Sequence, residues 1–268
     1  MNARQCFLCL LLSMLASHTN AFAATSYTTD FNLTESPLSE GGVWKHAGLD
    51  WTRPASAGGF AYGTQTGTGG YDDSYAYLSG FPPDQSASGV VHIDSRTSTT
   101  TTHEVEILLR WSDSASSARG YECNFAYNGQ YADIVRWNGA KGDFTFLAPA
   151  GTAGISGGLK EGDVVSAQII GNVITTFVNG TKVLSVVDST YGDGNPGMGF
   201  WRGDPSSPLD DFAFTRFSAV ALGQNVPLTF SWRTFLVAGA FALVWYRAKR
   251  HRAQLSRPAS ASQSKNLA

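Results

Sequence analysis

The chain has 268 residues, 43% hydrophobic, 12% aromatic and only 15% charged, with a formal net charge of −2. That length supports one sizeable domain with extensions, and 29 glycines and 10 prolines suit many short strands joined by turns. All 21 acidic residues but only 11 of the 19 Lys and Arg fall in residues 24–226, a local net charge of −10 that argues against nucleic acid as a partner.

Residues 1–23 read as a secretory signal peptide. Arg4 precedes an apolar run, and Ala21, Phe22 and Ala23 form a small-residue cleavage site. Cys6 and Cys9 lie inside that segment, which leaves Cys123 alone in the mature chain. No internal disulfide can form, so the domain must be held by its core. Cys123 alternates with Tyr121, Phe125 and Tyr127, the pattern of a buried structural thiol.

The first strand is expected at residues 27–32, followed by a Gly/Ser/Thr-rich loop at 55–70 and strands at 75–78 and 88–93. Residues 104–111, EVEILLRW, follow as a strand. Alternation puts Val105, Ile107, Leu109 and Trp111 on a core face and Glu104, Glu106, Leu108 and Arg110 on the other. Strands at 121–127 and 133–137 should be its neighbours. With Tyr121, Phe125 and Tyr127 inward, Glu122 and Asn124 point outward; Arg136 is expected outward too, with Asp133 and Trp137 on the opposite alternation. Asn138-Gly139 reads as a further hairpin turn. The clearest stretch is residues 162–201. Strands at 164–170, 173–178 and 182–187 are separated by the turn pairs Gly171-Asn172 and Asn179-Gly180, and a Gly/Asn/Pro loop at 191–197 precedes a strand at 198–201.

The sequence IIGNVITTFVNGTKVLSVVDSTYGDGNPGMGFW resembles the C-terminal half of secreted jelly-roll domains of the concanavalin A-like lectin/glucanase type, including laminin G-like and keto-glycoside hydrolase-like members. The resemblance extends back through EVEILLRW, GYECNFAYNGQYADIVRWNG and DFTFL, and forward to LDDFAF, covering most of residues 25–219. It implies an all-β fold, a two-sheet antiparallel β-sandwich, in which the concave surface of one curved sheet binds glycans. One sandwich hosts lectins, hydrolases, lyases and adhesion modules, so the fold does not fix the activity. The set expected on the concave surface is Glu104, Glu106, Arg110, Glu122, Asn124 and Arg136, with Trp201 and Arg202 at its edge and Trp137, Trp201 and Trp111 available to stack on sugar rings.

Catalytic signals are weak. The related family 16 glucanases carry Glu-x-Asp-x-Glu or Glu-x-Asp-x-x-Glu on one strand. Here Glu104 and Glu106 are followed by Leu108 and Leu109 where the proton donor must be, and a leucine cannot donate a proton. His46, His92 and His103 sit in no nucleophile-bearing turn, and no His/Cys spacing suggests zinc. Calcium is the one cofactor with oxygen ligands at hand, from Asp210 and Asp211 beside the last strand and Asp30 near the first. The expected function is glycan binding without cleavage. A polysaccharide-active hydrolase or lyase with a non-standard site, and a non-catalytic envelope adhesion or structural module, stay open as alternatives.

After a linker at 220–226, residues 227–247 are expected to span a membrane as a helix, with Arg233 snorkelling and Trp232, Trp245 and Tyr246 at the interfaces. Arg247, Lys249, Arg250 and Arg252 follow, which places the 248–268 tail in the cytoplasm and residues 24–219 outside it, in the periplasm or at the cell surface. The segment also resembles bacterial Pro-Glu-Pro sorting signals, which would make the protein secreted and sorted. However, Pro227 is followed by Leu228-Thr229 and not by Glu-Pro.

Overall fold

The computed structural model describes residues 25–65, 73–94 and 102–223. The expected signal peptide at 1–23, membrane helix at 227–247 and tail at 248–268 lie outside them. The described residues form fourteen strands: β1 (Ser26–Thr29), β2 (Ala55–Ala57), β3 (Phe60–Tyr62), β4 (Ser74–Tyr77), β5 (Gln85–Ile93), β6 (Glu104–Ser114), β7 (Ser117–Ala126), β8 (Ala132–Gly139), β9 (Phe144–Phe146), β10 (Val164–Ile170), β11 (Val173–Val178), β12 (Thr181–Val187), β13 (Asn195–Trp201) and β14 (Phe212–Ala221). They build two antiparallel sheets. One is ordered β12-β11-β10-β5-β14-β3-β2 with β1 paired to β14; the other is ordered β4-β13-β6-β7-β8-β9. The described residues thus form the all-β, two-sheet antiparallel sandwich that the resemblance implies.

The turn pairs explain β10 to β12. Ile170 pairs with Val173 and Val178 with Thr181, so each hairpin closes over two residues. Gly171, Asn179 and Gly180 adopt positive φ there, which Gly and Asn tolerate better than branched residues. Between the sheets lies a core of Ile107, Leu109, Tyr121, Phe125, Met198, Phe214 and Phe217, all buried, and Cys123 is buried among them. Burial pushes the Cys123 thiol far above its ordinary range, so it is an inert core group.

Three segments differ from the sequence expectations. The 55–70 loop contains β2 and β3, each only three residues long, with small residues of little strand propensity in β2. They are held because Ala61 pairs with Phe214 of β14 and β2 pairs with β3. Asn138-Gly139 is not the hairpin turn: Gly139 pairs with Ala118, and the chain reverses at residues 140–143, where the Asp143 amide donates to the Ala140 carbonyl. The 191–197 loop ends early, because β13 starts at Asn195 and includes Pro196. A register shift between Asn195 and Gly197 makes this a bulge, the one setting inside a sheet that accepts proline.

Candidate functional site

The outer face of the six-stranded sheet is assembled from register. Glu106 of β6 lies opposite Asn124 of β7 and Gly199 of β13; Glu104 lies opposite Trp201; Leu108 lies opposite Glu122. Across β7, Asn124 pairs with Asp133 and Glu122 with Val135 of β8, and Val135 pairs in turn with Phe146 of β9. Val105, Ile107 and Leu109 point the other way into the core, as alternation requires. The outward residues line an open cavity of about 640 Å³ that includes Asp73, Glu104, Glu122, Asn124, Tyr131, Asp133, Trp137, Phe144, Phe146 and Trp201. Among the described residues, no lysine or arginine lines it.

Its polar groups are tied together. Tyr131 donates to Glu104, and Asn124 Nδ2 donates to the other oxygen of Glu104 at 2.9 Å. Trp137 Nε1 donates to Glu122 at 2.6 Å, and the Gly151 amide donates to Asp133 at 3.0 Å. Glu106 lies deeper, with no exposed surface and, among the described residues, no hydrogen-bond partner for either carboxylate oxygen. Burial pushes Glu104 up to about 7 against its hydrogen bonds from Tyr131 and Asn124. Burial, then the charge of Glu104, pushes Glu122 up to about 8. Burial and the charges of Glu122, Asp73 and Glu104 hold Glu106 well above the usual carboxylate range.

Beside the carboxylates lies an aromatic cluster of Trp51, Tyr75, Trp111 and Trp137 packed with Leu108, all buried. Tyr75 and Trp111 meet edge-on at 5.2 Å, and Trp51 and Trp137 at 5.7 Å. Leu108, the residue that breaks the glucanase-like motif, is covered by these rings.

Arg110 and Trp111 do not lie where strict alternation puts them. The pairing of β6 with β7 shifts register between Leu109 and Ser112, and Arg110 adopts φ +47. This bulge carries Trp111 to the outer face and removes Arg110 from it. The Arg110 guanidinium is buried and donates to the carbonyls of Pro83 (2.9 Å), Tyr191 (2.7 Å) and Gly171 (2.7 Å), with Asp84 at 3.5 Å. Gly194 passes so close that a Cβ there would lie 2.2 Å from the Arg110 carbonyl, so the bulge requires glycine at that point.

Arg136 is likewise off the cleft. It pairs with Tyr121, whose side chain faces the core, so the two share a side. Its guanidinium donates to Asp188 at 2.6 Å and to Thr190 at 2.9 Å, while Tyr121 donates to Asp188 at 2.8 Å. Asp133 and Trp137, expected on the opposite alternation, line the cleft instead. Trp201 lines the cleft, whereas Arg202 lies outside it and donates to the Pro205 carbonyl at 2.9 Å.

The three aspartates read as calcium ligands do not converge. Asp30 accepts from Arg216 at 2.6 Å, because β1 pairs with β14 and brings them together. Asp211 is buried and Asp210 half-buried. Among the described residues the acidic side chains that come together are Asp73, Glu106 and Glu122. Asp73, Tyr131, Phe144 and Phe146 carried no sequence signal as cleft residues. Phe144 and Phe146 alternate, which places both rings on one face of β9, but only the register of β8 with β9 shows which face.

No protein-family model matches the chain, and no curated protein matches it by sequence. Solved structures do superpose. A carbohydrate-binding module from Bacillus subtilis gives a TM-score of 0.41 at 12% identity, covering 69% of this chain and 95% of its own. A β-porphyranase from Bacteroides plebeius gives 0.44 at 10% identity, covering 74% and 92%. A galectin of Caenorhabditis elegans gives 0.36 at 15% identity, covering 60% and 94%. The cleft itself carries the functional argument.

Proposed function

We propose that the protein is an extracytoplasmic, membrane-anchored carbohydrate-binding module that holds glycan in the cleft on the six-stranded sheet. The observation that carries this is the joint lining of one open cavity by aromatic rings and by fixed hydrogen-bonding groups. Trp201 and Phe146 offer apolar faces, and Phe146 is 44% exposed, high for a phenylalanine. Glu104, Glu122, Asn124 and Asp133 supply acceptors whose positions are fixed by Tyr131, Trp137 and the Gly151 amide. A ligand site of this size is commonly apolar with a few placed polar groups. Carboxylates accept hydrogen bonds, and a lining that among the described residues has no lysine or arginine suits the donating hydroxyls of neutral sugars.

The test is a glycan array with the full-length chain, followed by titration calorimetry on the strongest ligand. Trp201→Ala and Phe146→Ala should each weaken binding by about tenfold or more, equal to about 1.4 kcal/mol, with unchanged circular dichroism. Unchanged affinity in both variants would sink the cleft as the binding site. A hydrolase reading is kept because two carboxyl groups, Glu104 and Glu122, face the same cavity. Release of reducing ends or unsaturated uronates by the purified protein would establish it. Anchoring rests on residues 227–252, and deleting 227–268 should move the protein from the membrane fraction to the soluble extracytoplasmic fraction.

A further inference from the structure

Glu106 is a buried acid that glycan binding leaves without a role. It is completely buried, and among the described residues neither carboxylate oxygen has a hydrogen-bond partner and no lysine or arginine lines the adjoining cavity. Buried carboxylates are ordinarily paired, hydrogen-bonded or bound to a metal. One oxygen each from Asp73, Glu106 and Glu122 lies within 4.8 Å of the other two. Two oxygens bound to one calcium at about 2.3–2.6 Å can be up to about 5 Å apart, so a single ion fits this spacing.

The arrangement is built rather than incidental. The three carboxylates come from separate parts of the chain: Asp73 next to β4, Glu106 on β6 and Glu122 on β7. Between β4 and β6 runs β13, and its Gly199 lies opposite Glu106. A Cβ on Gly199 would sit 1.9 Å from Glu106 Oε2, so the carboxylate occupies the space that a side chain would take. Asn124, opposite Glu106 on β7, has a buried Oδ1 without a partner among the described residues and offers a further oxygen from the neighbouring strand. Every donor is a hard oxygen, the set that selects calcium, magnesium or manganese over softer metals.

We propose that Asp73, Glu106 and Glu122 form a binding site for one hard divalent cation of the calcium type, set in the floor of the cleft. This site is separate from Asp30, Asp210 and Asp211. Asp73 and Glu122 line the cavity, so the coordination positions that the three carboxylates leave free face it.

The experiment uses the full-length chain, treated with EDTA and dialysed, then titrated with CaCl₂, MgCl₂ and MnCl₂ by calorimetry and thermal melting. One ion should bind per chain, and at about 100 times Kd the melting temperature should rise by about 5–10 °C. Glu106→Gln should lower cation affinity about 100-fold or more without lowering the melting temperature of the cation-free protein. Asp30→Asn should bind as the unaltered chain does. Terbium should show tryptophan-sensitised emission that calcium displaces, because Trp137 donates directly to Glu122; this readout needs no variant. No binding of any of the three cations up to about 10 mM, full affinity in Glu106→Gln, loss in Asp30→Asn, or bound terbium without sensitised emission would each overturn the site. No readout involves a glycan, so its failure is separable from failure of the glycan-binding proposal.

Discussion

Arg110 and Glu106 are four residues apart on β6, both ionisable and both buried, yet their surroundings are opposite. Arg110 has three backbone carbonyls and Asp84 around its guanidinium. Glu106 has neighbouring carboxylates and no hydrogen bond among the described residues. A buried ion with a complete set of partners holds a structure together: here Arg110 ties the loop before β5, the turn after β10 and the loop before β13 to the bulge in β6. A buried acid without partners is held neutral by a proton, which a cation can displace. The first is read as architecture, the second as a poised site.

The largest expected effect is on the architectural side. Arg110→Ala strips partners from Asp84 and from the carbonyls of Pro83, Tyr191 and Gly171, and breaking such a buried pair costs about 3–5 kcal/mol. For a domain of this size that lowers the melting temperature by about 6–20 °C. A loss under about 1 kcal/mol would mean that water replaces the guanidinium and that the network holds nothing.

Glu106→Gln should act in the opposite direction. Its amide can donate to the carboxylates of Asp73 and Glu122, which removes the unpartnered acid and its repulsion. Melted in EDTA, the variant should be more stable by about 1–3 kcal/mol. Destabilisation by the same amount would show that Glu106 already has a partner and that the contrast with Arg110 is wrong.

How far the sequence carries this contrast is itself instructive. The hairpins from β10 to β12 are legible because Gly171-Asn172 and Asn179-Gly180 are local turn chemistry and need nothing from the rest of the molecule. The outward set Glu104, Glu106, Glu122 and Asn124 is legible because alternation is also local. Arg110 is lost at a bulge with positive φ on an arginine, which only the packing of Gly194 against it makes tolerable. Arg136 is lost because alternation fixes faces within a strand but not the register between strands, and one residue of slip exchanges it with Trp137. Asp73 lies next to a strand and meets the cluster from β4, two strands away from Glu106, whose carboxylate fills the space a side chain on Gly199 would take. The misplaced residues share one cause: their positions are decided by contacts between segments distant in sequence.

Arg136 gives a smaller test of the same division. Its pairing with Asp188 and Thr190 lies away from the cleft, and its side chain is 22% exposed. Arg136→Ala should therefore cost about 1.5 kcal/mol of stability and leave glycan affinity unchanged. A loss of affinity with unchanged melting would return Arg136 to the binding surface.

The smallest effect concerns a neutral counterpart of Glu106. His46 stacks on Tyr75 with centroids 4.4 Å apart, and among the described residues neither buried ring nitrogen has a partner of full hydrogen-bond geometry, the Thr52 backbone being a weak neighbour. Burial pushes its imidazole below the ordinary histidine value, and the charge of Arg53 adds to this against the opposing charge of Asp113. As pH falls through about 6.5, the unfolded chain takes up a proton that the buried ring resists. The contribution of neutral His46 is therefore fully present above that pH and is lost as the solution becomes more acid. His46→Phe keeps an aromatic ring on Tyr75 and removes the titration. At pH 8 the variant and the unaltered protein should differ by less than about 1.5 kcal/mol, as for other swaps of similar volume. Between pH 6.5 and 5 the variant should gain on the unaltered protein steadily. Comparing the two chains in paired urea melts cancels the carboxylates of the cleft, whose raised values give the opposite slope in both proteins. A stability difference that stays constant from pH 8 to 5 would show that His46 finds a proton acceptor in the folded state, and that a lack of visible partners at a buried group does not by itself mark unfavourable energy.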